Sequence, residues 1–162
     1  MARYSLGYQT KTMIAVADTA NMTDNGYATF LLGGSATQLL KINEVYIGGE
    51  DTASTPTTMV LARDSTIAAT GISGNTNAPM DVQTTAPTVA VFGCVSTTKP
   101  QRAATLHLLQ LSLNTYGGIA RWQARYGEEI SVYGTAVNVG EVSLSSVTGT
   151  GKVSGHIIYE VV

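Results

Sequence analysis

Apolar residues in this chain recur mostly at every second position, and that spacing dictates half-buried β-strands. In Glu128–Gly134, Ile130 and Val132 alternate with Ser131 and Tyr133. In Glu141–Ser146, Val142 and Leu144 alternate with Ser143 and Ser145. Near the C-terminus, Val153, Ile157, Tyr159 and Val161 stand opposite Ser154, His156, Ile158 and Glu160. In Lys41–Gly49, strict alternation places Ile42, Glu44 and Tyr46 on one face and Asn43, Val45 and Ile47 on the other. Further strands are expected near Thr10–Ala17, Tyr27–Leu32, Thr57–Arg63, Thr88–Phe92 and Gly118–Gln123.

The most apolar segment, Ala104–Asn114, contains a break in phase. Leu106 and Leu108 share one face, after which Leu109, Leu111 and Leu113 continue on the other. A helix would gather Leu106, Leu109 and Leu113 into a single stripe. The alternation of Gln110 and Ser112, and the turn-forming residues that follow, favour a strand with a β-bulge near Leu108–Leu109. Leu111 and Leu113 are then core residues.

Turn clusters separate these segments at Thr23–Gly26, Gly33–Thr37 and Thr148–Lys152, where Asp, Asn and Gly supply tight connections. About eight to ten strands with such spacing predict an all-β fold, an antiparallel β-sandwich or jelly roll, since both arrangements hide sheet edges. A chain of 162 residues fits one domain. Its expected organisation is an N-terminal arm, 1–11, followed by a single β-sandwich domain, 12–162, with a long loop at 64–87. Both the arm and the loop, rich in small and adaptable side chains, are expected to order only against a partner.

Composition narrows function. Only 12% of residues are charged, against roughly 25% in ordinary soluble domains, while 44% are hydrophobic. Such a surface can be covered by a neighbour without desolvating many ions, so a stable homo-oligomer is expected. A net charge of −2 argues against a role in binding nucleic acid. No secretory signal is visible at the start, and no run approaches the ~18 apolar residues of a membrane span.

Candidate chemistry is sparse. His107 and His156 are the two histidines, and they lack the spacing of metal ligands. Cys94 has no neighbouring base to activate it. Gly149, Gly151 and Gly155 fit a hairpin turn and not a phosphate loop, because Lys152 is followed by Val153. Asp18, Asn21, Asp24 and Asn25 match no calcium loop and read as turn-capping side chains. No catalytic residue, metal or cofactor is called for.

The densest group of interaction-prone side chains is Arg121, Trp122, Arg125 and Tyr126. On a strand, Arg121 and Gln123 face away from Trp122, which is either an interface anchor or a core residue flanked by arginines. With Tyr4 and Tyr8 in the arm, these residues form the candidate partner interface. Glu128 and Glu129 either pair with Arg125 or reach a partner.

The segments Ser96–Trp122 and Gly127–Gly134, with Lys41–Gly49, Met59–Thr66 and Gly155–Val161, resemble small structural proteins of tailed bacteriophages and prophages. The resemblance runs from Lys41 onward. It implies a virion component, a capsid decoration or cement protein made in the host cytoplasm and placed on the outer capsid surface. Its partners would be the major capsid protein or another virion protein and further copies of itself, with a homotrimer favoured because decoration proteins often sit on threefold positions. It brings no catalytic residues. Two alternatives stay open: a carbohydrate- or receptor-binding β-sandwich module of a tail or head fibre, with Trp122 facing a sugar, and a jelly-roll shell protein. The latter would line its genome with basic residues, and the arm offers only Arg3 and Lys11.

Overall fold

A computed structural model describes residues 2–18, 20, 30–33, 38–66, 77–82, 91–92 and 100–162. Its strands are β1 (Ala2–Met13), β2 (Phe30–Gly33), β3 (Leu39–Gly49), β4 (Pro56–Thr66), β5 (Asn77–Pro79), β6 (Val91–Phe92), β7 (Gln101–Asn114), β8 (Ile119–Gln123), β9 (Ile130–Tyr133), β10 (Glu141–Thr148) and β11 (Gly151–Val161). They form two antiparallel sheets. The first runs β5-β1-β11-β3-β8, with β9 pairing the remaining length of β3; the second runs β6-β2-β10-β4-β7. The fold is the expected all-β sandwich. Nine of the strands have four residues or more, within the expected range.

The two sheets enclose one core. The first contributes Leu6, Ile42, Val45, Ile47, Val132, Val153, Ile157 and Tyr159; the second contributes Met59, Leu61, Leu113, Val142 and Leu144. Leu113 is buried and Leu111 packs beside the core half-buried. On β7, Leu109 faces Leu61 while His107 faces Ala62, so Leu108 is the extra residue of a bulge. The phase break in the leucine run is this bulge.

Three expectations change. The N-terminal arm is not an arm: β1 pairs β11 from Ala2 to Met13, and Leu6 is fully buried. Tyr4, Leu6 and Tyr8 point inward while Arg3, Ser5 and Gly7 point outward, and a register shift between Tyr8 and Lys11 ends that phase. The strand expected at Thr10–Ala17 therefore begins eight residues earlier and stops at Met13. In β3, a bulge opposite Ile158 and Tyr159 absorbs Asn43 and moves Ile42 to the face of Val45 and Ile47. Glu44 and Tyr46 are left on the outer face. Within the expected loop at 64–87, Asp64–Thr66 completes β4 and Asn77–Pro79 forms β5; its stretches 67–76 and 83–87 lie outside the described residues, as do 88–90 of the strand expected at Thr88–Phe92.

The second sheet is buried on both faces at its centre. In β10, Glu141 through Ser146 are all buried. The turn at Gly149, with a positive φ of 76°, carries the chain from β10 in the second sheet to β11 in the first, so these glycines serve a tight crossing between sheets and not the expected hairpin. Gly155 answers a different need: a Cβ there would lie 2.0 Å from the Tyr46 carbonyl oxygen, so β11 and β3 approach too closely for any side chain.

Candidate interaction surface

The outer face of the first sheet carries a short polar network. Glu44 sits at its centre, with its side chain only 10% exposed. Arg121 on β8 donates to Glu44 Oε2 at 2.8 Å, and His156 on β11 donates to Oε1 at 2.9 Å. The Arg121 hydrogen bond holds the Glu44 carboxyl below its ordinary range; partial burial opposes this and the His156 bond assists. The Tyr46 ring stacks on His156 at 5.2 Å. Antiparallel register builds the group, since Tyr46 stands opposite His156 on one side and Arg121 on the other. A carboxylate accepting from an arginine and a histidine is a structural tie between β3, β8 and β11.

Beside it lies a hollow of about 290 Å³, lined by Tyr46, Glu50, Ile119 and Ser154 among glycines. Hydrogen bonds from Ser154 and Thr10 lower the Glu50 pKa. The hollow is at the small end for a ligand cleft and has few polar groups to fix an orientation.

The second sheet's outer face is polar and covered. Arg102, 1% exposed, donates to Asp18 Oδ1 at 3.0 Å, to Ser145 Oγ and to the Val16 carbonyl. His107 donates to the same Asp18 oxygen at 3.1 Å. Burial opposes ionisation of Asp18, but these two donors outweigh it and lower its pKa. Asp64 is fully buried, and Ser143 donates to its Oδ1 at 2.6 Å. Its Oδ2 has no hydrogen-bond partner, and burial, reinforced by nearby Glu141, pushes its pKa up to about 9. Asp64 and Arg102 escaped the sequence reading because aspartate and arginine are usually solvated.

The candidate interface residues divide. Tyr4 is 4% exposed and stacks on Tyr159; Tyr8 is 6% exposed and its hydroxyl donates to the Tyr46 carbonyl at 3.3 Å. Both belong to the core, and neither can meet a partner from there. Trp122 is half-buried against the core opposite Val45, which removes it as a platform for a sugar ring. Arg121 is on the surface but tied to Glu44. Arg125 and Tyr126 are exposed, Tyr126 fully so. Glu129 accepts from the Gly127 amide within its own turn, and Glu128 is exposed. Cys94, Asn21, Asp24 and Asn25 lie outside the described residues.

Exposed large apolar side chains gather along β8 and β9. Tyr116 (64% exposed), Ile119 (65%), Tyr126 and Tyr133 (50%) all lie in these strands or the turns around them. Among the described residues no strand pairs the outer edge of β8, and no group of three or more His, Cys, Asp or Glu side chains is placed to hold a metal. Comparison of the chain with family profiles, with characterised proteins and with solved structures returned no match.

Proposed function

We propose that this chain is a virion structural subunit, a capsid decoration or cement protein of a tailed bacteriophage. It binds the outer surface of the shell and neighbouring copies of itself, and it performs no catalysis. The observation that carries the reading is the edge of the first sheet at β8, which no strand pairs among the described residues. It combines unpaired backbone with exposed tyrosines and an isoleucine, on a chain whose surface has too few charges to resist association. The interior charged groups are spent on ties within the fold, Arg102 to Asp18 and Glu44 to His156 and Arg121, which suits a rigid building block. The resemblance of Ser96–Trp122 and Gly127–Gly134 to phage structural proteins supplies the kind of particle.

Quantitative mass spectrometry of particles purified from the host that carries the gene tests the proposal. The expected result is many copies per particle, removable by mild denaturant without loss of the shell. Absence from purified particles overturns it.

A further inference from the structure

We propose that the outer edge of β8 pairs with the same edge of a second copy, antiparallel, about a two-fold axis at Arg121. This deepens the reading of the chain as a self-associating subunit and rests on it.

Sheet ends are where strands can add. Among the described residues the first sheet ends in β5, which carries Pro79, and in β8 with β9; the second ends in β7 and in β6, whose flanking residues lie outside the described ones. β7 is long, but its register against β4 shifts three times between Leu61 and Thr66, and bulges twist an edge away from pairing. β8 pairs β3 without interruption from Ile119 to Gln123. It is the regular edge, and it carries no proline and no lysine.

The direction of its backbone groups sets the register. Gly118 accepts from the Gly49 amide, and the Ala124 amide donates to Asn43. Even-numbered residues of this strand therefore turn their N–H and C=O toward β3, and Ile119, Arg121 and Gln123 turn theirs outward. An antiparallel second copy centred on Arg121 sets Ile119 against Gln123 of that copy, Arg121 against Arg121, and Gln123 against Ile119. Every outward group then meets an outward group. On the inward side, bulky Trp122 falls opposite small Ala120.

Tyr116 and Tyr126, both exposed, lie in the turns before and after β8, one on each side of that axis. The two Arg121 side chains face each other, and like charges directly opposite would repel. Each is already bound to its own Glu44 at 2.8 Å, so the four groups together are neutral. The contact joins two six-stranded sheets into one. Being two-fold, it yields pairs; the trimer implied by the resemblance would need another surface.

Sedimentation of the full chain, wild type and Gln123→Pro, is the experiment, together with oxidative cross-linking of Arg121→Cys. Proline removes one outward N–H from each copy and leaves the bonds to β3 intact. The expected result is reversible self-association in pairs that Gln123→Pro weakens about tenfold or more, with an unchanged circular dichroism spectrum. Arg121→Cys should give a disulfide dimer, because facing residues of a bonded pair lie about 5.5 Å apart. Ile119→Cys should not, since its two copies would lie roughly 13 Å apart; wild type controls for Cys94. Self-association untouched by Gln123→Pro, with no dimer from Arg121→Cys, overturns this contact and leaves the subunit reading standing. A wild-type monomer at millimolar concentration overturns the self-association itself, and the particle measurement then judges shell binding alone. Should Gln123→Pro unfold, the cysteine pair decides.

Discussion

The two sheets treat their outer faces in opposite ways. On the first sheet the outer face is open, and its buried carboxylate, Glu44, is ionised between Arg121 and His156. On the second the outer face is covered, and its buried carboxyl, Asp64, keeps its proton beside Ser143 and Glu141. The same functional group thus takes opposite charge states because the Arg121 guanidinium bonds one carboxyl and burial without a bonded cation governs the other. The contrast shows which side is finished. The second sheet ties Arg102, Asp18 and Ser143 to partners within the chain, while the first leaves the regular edge of β8 unpaired among the described residues.

The largest effect should come from the finished side. Arg102→Ala strips the buried donor shared by Asp18, Ser145 and Val16, and should reduce stability by about 3–5 kcal/mol in urea denaturation. A loss below about 1 kcal/mol would mean that water reaches this layer. Leu6→Ala should follow, at about 2–5 kcal/mol, because β1 is a core strand. An unchanged melting temperature would return Met1–Lys11 to the status of a dispensable arm.

The two carboxyls should give opposite pH responses. The folded pKa of Asp64 lies above its ordinary 3.8, at about 9, so the folded chain holds a proton that the unfolded chain has released. Stability should fall as pH rises between these values, on the order of 1 kcal/mol per unit from pH 5 to pH 8. Asp64→Asn should flatten that slope. Glu44 and Asp18, whose pKa values are lowered, stabilise the fold above their ordinary values, and that contribution disappears as pH falls through the folded ones. Equal slopes for wild type and Asp64→Asn in thermal melts across this range would contradict the assignment. The smallest effect belongs to Arg121→Ala, about 0–1 kcal/mol in the monomer, since that side chain is 55% exposed and its ion pair is screened.

Much of the fold was legible because period-two alternation survives wherever a strand has one face in the core. β9, β11 and the leucine run of β7 show it plainly, and the bulge at Leu108 announced itself by moving the leucines across. The bulge at Asn43 did not, because glutamate and tyrosine are plausible on either face. β1 was hidden by its composition: Tyr4, Leu6 and Tyr8 do alternate, but over only three apolar positions before the phase breaks. Burial of Ser143, Ser145 and Asp64 left no local trace, since it depends on what covers the sheet and not on the strand itself. Of the candidate interface, Tyr126 and Arg125 stayed on the surface. Tyr116 and Ile119 were missed because isolated apolar residues near turns look ordinary until an unpaired edge sets them in one line.

Amide hydrogen exchange along β8, followed by NMR as protein concentration rises, tests the central claim most directly. Ala120 and Trp122 donate toward β3 and should be protected at every concentration. Ile119, Arg121 and Gln123 should exchange freely when dilute and become protected together as copies associate. Continued rapid exchange at all three positions, in protein that sedimentation shows to be associated, would contradict the pairing of this edge.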